Sequence, residues 1–318
     1  MELPSGALSH SRILKLPSIL RPADLLVLNN TRVFPAKLLG RTESGGLVEL
    51  LLLQPDESDV WQVLARPAKK LRVGTRIVFG KGELRAIVSD VLKLGKRSVE
   101  LVYDGDLYEV LDRVGESPLP PYIKRQRGET NEIDRERYQT VYARERGSVA
   151  APTAGLHFTL ELLRALANRD IATAELTLHV GYGTFQPVRE ETVEDHRMER
   201  ERYSIPEKTV AAVETARARG GRVVAVGTTT VRALESAALA SGELKAGPAN
   251  TELFITPGFQ FRVVDGLMTN FHLPKSSLLL LVSAFGGVEP LRRAYREAVQ
   301  ERYRFYSYGD CMLLYPGP

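Results

Sequence analysis

The sequence predicts a layered α/β domain with a mostly parallel sheet, carrying an inserted small β-barrel domain. Three observations predict it. Beyond residue 147, strand-like runs alternate with amphipathic helical runs, the pattern of βαβ units. Between Arg32 and Glu116, short apolar runs are separated by Gly, Pro, Asp and Lys-Gly turns, as in a small barrel or sandwich. The run LLVLNN, a strand ending in turn residues, precedes that block, so the block interrupts the α/β pattern. The expected boundaries are 1–35 and 117–318 for a discontinuous α/β domain and 36–116 for the barrel.

The barrel strands are read from KLLGRT, GLVELLLL, VWQVLAR, TRIVFG, ELRAIVSD and RSVELVY, with Lys69, Lys70 and Arg72 clustered in one loop. From Ser117 to Gly147 a Pro-rich start favours extended backbone, and dense mixed charge then reads as a surface helix near Asp134 to Arg144. Next come SVAAP as strand, TAGLHF as loop, TLELLRALANRD as helix and IATAELTLHVG as strand. The second unit is helix EKTVAAVETARARGG, strand RVVAVG, loop TTT and helix VRALESAALASG. Strands TELFIT and QFRVVDGLMTNF lead to an apolar helix, SSLLLLVSAFGG, and a last helix, EPLRRAYREAVQERY.

Composition narrows the function classes. The longest apolar run, Leu278 to Val282, is far short of the roughly 18 residues a membrane span needs. The first residues lack the basic start and apolar stretch of a signal peptide, so a soluble, cytoplasmic chain is expected. The single cysteine, Cys311, excludes an internal disulfide, a Cys-ligated structural zinc and an iron–sulfur cluster held by this chain alone. It is expected to be a small buried core residue. The five histidines are scattered without an HExxH pair, so no metal is expected. Net charge is +4, and 32 of the 43 cations are arginine, which suits bidentate phosphate contacts as well as solvated helix faces.

Four loops fall where βα units place them, beside strand ends, the usual ligand position in open α/β sheets. In Pro152–Phe158, Thr153 and Gly155 precede His157, an acid, base, hydrogen-bond donor or simply a packed side chain. In His179–Pro187, a strand runs into Gly181-Tyr182-Gly183-Thr184-Phe185, either a backbone cradle or an ordinary turn. Gly227 followed by Thr228, Thr229 and Thr230 offers capping hydroxyls and N–H donors to a carboxylate or phosphate, without P-loop spacing. In Thr269–Ser276, Asn270, His272 and Lys275 bunch at a strand end. These residues by themselves do not specify a reaction.

Taken together, the long motifs LLVLNNTRVFPAKLLGR, PLPPYIKR, RYQTVYA, APTAGLHFT, HVGYGTFQPV, VVAVGTTTVRALES, TNFHLPKSSLLLLVSAF and YRFYSYGDCMLL cover nearly the whole chain in order. They resemble the S-adenosylmethionine:tRNA ribosyltransferase-isomerase family, the QueA enzymes of queuosine biosynthesis. The resemblance implies an α/β domain joined to a small β-barrel. It implies S-adenosylmethionine as ribosyl donor and, as acceptor, tRNA carrying 7-aminomethyl-7-deazaguanine at the wobble position. Epoxyqueuosine-tRNA, adenine and methionine are the implied products.

A polar, ylide-type course follows from the same resemblance, since one thiol cannot hold the cluster that radical chemistry requires. His157 or His179 is then assigned to proton transfer and Glu235 to orienting an amine or ribose hydroxyl. Asn270 and His272 are polar contacts to the donor, with Thr153, Gly155, Gly181, Gly183, Thr184, Phe185 and Gly227 to Thr230. Arg32, Lys37, Lys124, Arg125 and Lys275 are assigned to tRNA, and a monomer is expected.

Two departures stand out. Family members usually begin with additional residues, so an edge strand is expected to be missing here. The family's His-x-Met-His-x-Glu reads His196-Arg197-Met198-Glu199-Arg200-Glu201, with Glu199 in place of the second histidine; His196 and Glu201 serve either the site or a structural pairing. The alternatives are an ordinary methyltransferase, whose glycine-rich first turn is not found, and a non-catalytic RNA-binding module.

Overall fold

The structure is a computed structural model that describes residues 1–55, 60–120, 122–123, 132–185, 192–239 and 242–317, without the side chains of residues 132, 184, 185 and 194. Two compact units emerge: residues 1–31, 140–145 and 152–318, and residues 32–139 and 146–151.

The first unit is built on an eight-stranded sheet. Its spatial order is Glu2–Leu3, Cys311–Pro316, Gly266–Asn270, Val223–Val226, Leu25–Asn29, Ala172–Leu178, Glu201–Ile205 and Gly247–Thr251. The middle four strands run parallel, with Val226 opposite Met268, Ala225 opposite Val27 and Leu176 opposite Asn29. Three of them (Leu25–Asn29, Val223–Val226 and Gly266–Asn270) are buried along their whole length, as expected of strands covered on both faces.

Alternation decides which face each residue meets. Leu26, Leu28, Val224, Val226 and Met268 share a core with Leu16 and Leu20 and with Leu162 and Leu166 of the Leu160–Ala167 helix. The Glu207–Ala218 and Thr228–Leu239 helices also pack on the sheet. Below the sheet's amino ends, buried Asp24 pairs with Arg222, which also donates to Pro316 O at 2.9 Å.

In the second unit, Lys37–Thr42, Leu47–Pro55, Val60–Arg66, Lys96–Tyr103, Leu84–Val91 and Arg76–Phe79 pair antiparallel in that order. Lys37–Thr42 then pairs with Arg76–Phe79, closing a six-stranded barrel. These are the six runs read from the sequence. Inward residues such as Leu38, Leu50, Leu52, Trp61, Val63, Ile77, Phe79 and Val88 alternate with exposed neighbours and fill the interior. Closure removes free edges from an otherwise short-stranded sheet.

Several elements differ from the sequence expectation. The three threonines are helical, because the helix begins at Thr228. The strand expected at TELFIT lies earlier, at Gly247–Thr251, where it can pair with Glu201–Ile205. The surface helix is Glu132–Arg137 and does not reach Arg144. TAGLHF is a 3-10 turn, Thr153–His157, and SVAAP contributes only Ser148 to the end of a strand, Glu145–Ser148. Cys311 is partly buried in the terminal strand, and desolvation pushes its thiol up to about 12.

Candidate active site at the carboxyl ends of the parallel strands

Because the middle four strands run parallel, the segments following Asn29, Leu178, Val226 and Asn270 leave the same edge of the sheet. Asn29 ties three of them together. Its Nδ2 donates to Leu178 O at 3.0 Å and Thr229 Oγ1 at 3.3 Å. Its Oδ1 accepts from Leu178 N at 3.0 Å and Thr31 N at 3.1 Å. The amide is fully buried with all its bonds made, so it is a rigid post rather than a ligand contact.

The turn carrying His157 is fixed by volume. A Cβ on Gly155 would lie 2.1 Å from Tyr142 Oη, so no side chain fits there. Burial raises the Tyr142 pKa, keeping the phenol protonated, and Glu175 adds to the effect. Gly227 is fixed instead by conformation: its φ of 93° is left-handed, which a strand-to-helix turn this tight requires.

Asn270 reaches His157 from the end of its strand. Its Nδ2 donates to Tyr306 O at 3.2 Å, which sets the amide's orientation, and also to His157 Nε2 at 3.1 Å. Nε2 is therefore the accepting nitrogen, and the neutral ring carries its proton on Nδ1. Desolvation lowers the His157 pKa; Asp310 opposes the shift and Arg304 adds to it. Asn270 Oδ1 is buried without a partner among the described residues.

His179 bonds Thr31 Oγ1 through Nδ1 at 2.9 Å, and its backbone N–H donates to Arg202 O. Desolvation, with Arg202 adding, lowers its pKa to about 4. His272 bonds Thr269 Oγ1 through Nε2 at 2.7 Å, and desolvation lowers it to about 4 as well. All three imidazoles are thus held neutral at pH 7. His157 lines a cavity of about 620 Å³ with Phe271, Tyr303 and Asp310, whereas His179 lines one of about 330 Å³ with Asn30, Glu175 and Lys208. Neither of these two cavities is lined by both histidines.

Under the glycine-rich loop lies a buried ion pair, Glu201 with Arg232, 4% and 2% exposed. Glu201 Oε1 accepts Gly181 N–H at 2.8 Å, so that amide is already engaged and does not cradle a ligand. Arg232 Nε donates to Leu253 O at 2.9 Å, while its Nη2 is buried without a partner among the described residues. Gly183 faces Glu199, whose Oε2 would lie 3.0 Å from a Cβ at that position. Thr184 and Phe185 belong to a short 3-10 turn, Tyr182–Phe185.

Other expected site residues have different tasks. Glu235 is fully buried and accepts backbone N–H bonds from Arg262, Val263 and Val264 at 2.8 to 3.0 Å. It holds a turn, with both carboxylate oxygens engaged by backbone amides. Thr229 Oγ1 accepts from Asn29, and Thr230 Oγ1 donates to Val226 O at 2.7 Å, so neither hydroxyl is a free cap. Among the cations expected to meet tRNA, Lys37 is half-buried against Glu116 at 2.9 Å and Glu49 at 4.0 Å. Arg32 and Lys275 are exposed. Lys124 and Arg125 lie outside the described residues.

Asn29, Thr31 and Arg232 were missed by the sequence reading. The signal was available for the first two, an Asn-Asn-Thr run at the end of an apolar strand. Among the described residues no three His, Cys, Asp or Glu side chains converge as a metal-ion site, and no helix is long and apolar enough to cross a membrane.

Comparison with known proteins gives one family. A family model described as queuosine biosynthesis protein matches residues 1–314. The S-adenosylmethionine:tRNA ribosyltransferase-isomerase of Gloeobacter violaceus is 54% identical over 310 residues, 97% of this chain and 86% of that one. The protein of the same description from Caldanaerobacter subterraneus is 49% identical over 311 residues, 98% of this chain and 90% of that one. A crystal structure of S-adenosylmethionine tRNA ribosyltransferase from Thermotoga maritima is 35% identical, with a TM-score of 0.53, covering 99% of this chain and 90% of that one.

Proposed function

The chain belongs to the S-adenosylmethionine:tRNA ribosyltransferase-isomerase family of queuosine biosynthesis, and from that premise we propose how its strand-end residues serve the reaction. The substrates are S-adenosylmethionine and a tRNA bearing 7-aminomethyl-7-deazaguanine. The ribosyl group is transferred to the aminomethyl nitrogen and isomerised, and adenine and methionine leave. The course is polar and of ylide type, because the sulfonium of the donor acidifies the adjoining ribose C5′ protons.

The observation that carries this reading is the Asn270–His157 pair with the unpartnered Asn270 Oδ1 beside it. Two buried polar atoms without partners fit the donor's polar groups in kind. Asn270 Oδ1 is an acceptor suited to an amino group, and Arg232 Nη2 is a donor suited to a carboxylate. A ligand that satisfied either atom would remove the cost of leaving it unpaired.

The histidines take different roles. His157, with Nε2 held by Asn270, presents Nδ1–H as a hydrogen-bond donor suited to a departing adenine nitrogen. His179 can donate Nδ1–H to Thr31 Oγ1, whose own proton reaches Glu145 O at 3.4 Å. In that tautomer Nε2 is left with a lone pair, as a base for C5′ or for the acceptor amine. Burial keeps both rings neutral, which an accepting nitrogen needs at pH 7.

Adenine release from S-adenosylmethionine in the presence of the modified tRNA tests the assignment. His157→Ala and His179→Ala should each reduce turnover by about 10²-fold or more. Near-wild-type turnover in both removes histidine from the proton transfers. Mass analysis of the tRNA base separates a ribosyl adduct from a methyl adduct or no change, and so tests the reaction itself.

A further inference from the structure

One end of the barrel carries a charge pattern that the strand-end site does not use. In a closed antiparallel barrel alternate connections share an end. Residues 43–46, 67–75 and 92–95 therefore emerge together, opposite residues 80–83 and the segment after Tyr103. Two of these loops, 67–75 and 92–95, touch: a Cβ on Gly95 would lie 3.7 Å from Ala68 Cβ.

These three loops hold Lys69, Lys70, Arg72 and Lys93, all exposed, against a single acid, Glu43. Glu43 faces Arg76 at 3.7 Å. No acidic residue occurs between Val60 and Gly82. Among the described residues none of the four cations is in an ion pair. The opposite end carries Glu83, Asp104 and Asp106 with Lys81. Exposed apolar side chains collect at the basic end: Leu94 at 83%, Val73 at 62%, Leu47 at 52% and Val91 at 49%.

The 67–75 loop is held from inside the barrel. Arg97 is 6% exposed, and its guanidinium donates to Leu71 O at 2.9 Å, to Lys96 O at 2.7 Å and to Ala68 O. One buried cation thus fixes the backbone of the 67–75 loop, which displays three of the four exposed ones.

We infer that this loop end of the barrel is a contact surface for the tRNA sugar–phosphate backbone. Lys69, Lys70, Arg72 and Lys93 meet phosphates, while Val73 and Leu94 pack against ribose or an unstacked base. Solvated cations on rigid loops suit a polyanion whose binding is driven by release of condensed counterions. The inference rests on the reading that the substrate is a tRNA. It adds a surface distinct from Arg32, Lys37, Lys124, Arg125 and Lys275.

The test is binding of a fluorescently labelled tRNA transcript, followed by anisotropy across a salt series, which needs no turnover. For the Lys69→Ala/Lys70→Ala/Arg72→Ala/Lys93→Ala variant the slope of log affinity against log salt should fall by about three, with at least a ten-fold weaker Kd at low salt. Replacing the three lysines by arginine should preserve the slope. Lys81→Ala/Arg85→Ala, away from the three loops, should leave both readouts unchanged.

An unchanged slope in the four-fold variant overturns the inference, as does an equal loss in the Lys81/Arg85 variant. So does intact tRNA binding with lost binding to vesicles containing anionic lipid, which would make this end a membrane contact instead. If the unsubstituted protein binds tRNA through these loops but forms no adduct, the proposed reaction fails and the surface stands. If it forms the adduct while the four-fold variant binds normally, the surface fails and the reaction stands.

Discussion

At the carboxyl ends of the α/β strands, Asn29, Glu201 and Arg232 are at most 4% exposed and hydrogen-bonded into the surrounding backbone. At the loop end of the barrel, Lys69, Lys70, Arg72 and Lys93 stand in solvent, and only Arg97 turns inward. The first arrangement is preorganised and desolvated, so each polar group is strong and its removal is damaging. The second keeps its charges hydrated, so each is weak alone and acts with the others on a polyanion. A small donor with one reactive geometry suits the first kind of surface, and a long nucleic acid suits the second.

The contrast breaks most sharply at the Glu201–Arg232 pair. Glu201→Ala leaves a buried guanidinium without its counter-ion and should cost about 3–5 kcal/mol in urea unfolding. The double replacement Glu201→Leu/Arg232→Met should recover most of that loss. A single variant that unfolds at the wild-type midpoint would show that the pair is solvated. Glu235→Gln comes next: one of three backbone donors then faces an amide N–H, for a loss of about 1–3 kcal/mol. Turnover of the folded fraction should not change. A fall in turnover beyond the loss of folded protein would return Glu235 to the catalytic set.

Histidine titration sharpens the comparison at smaller amplitude. His179 and His272 titrate near 4 in the folded chain, against about 6.5 unfolded. Between those values the unfolded state binds more protons, so stability falls as pH drops from about 6.5 toward 4. Each histidine contributes a slope of up to about 1.4 kcal/mol per pH unit in that window, and none above pH 7. Thermal midpoints from pH 4.5 to 7.5 should show a shallower slope in His272→Asn than in the parent. Identical slopes would mean that the ring is not desolvated. Smallest of all, the four-fold barrel variant should shift stability by no more than about 0.5 kcal/mol, since its side chains are exposed.

The architecture was legible because periodicity reports burial. All six barrel runs alternate, and the fully buried Leu25–Asn29 and Val223–Val226 strands read as continuous apolar runs. Local chemistry misled where tertiary pairing decides. GPANT has little strand propensity and is a strand because Glu201–Ile205 offers it partners. Three threonines look like a loop in isolation, yet Thr230 bonds back to Val226 O and Thr229 is held by Asn29, so both sit inside the helix.

At the site, motif position located His179, Asn270 and His272 at strand ends, whereas His157 lies in a 3-10 turn and meets a strand end through Asn270. Role was another matter. A carboxylate such as Glu235 looks the same in sequence whether it meets a substrate or three backbone amides. Arg232 likewise gave no sign that Glu201, 31 residues away, would bury it.

Arg97 separates shape from charge in the barrel. The path of the 67–75 loop is set by a guanidinium that barely meets solvent, bonded to carbonyls that every residue type supplies. The Lys69, Lys70 and Arg72 side chains that the loop displays are exposed and enter none of these bonds. Sequence drift can therefore exchange, add or reposition surface cations one at a time, retuning the grip on a different RNA while the scaffold beneath is inherited unchanged.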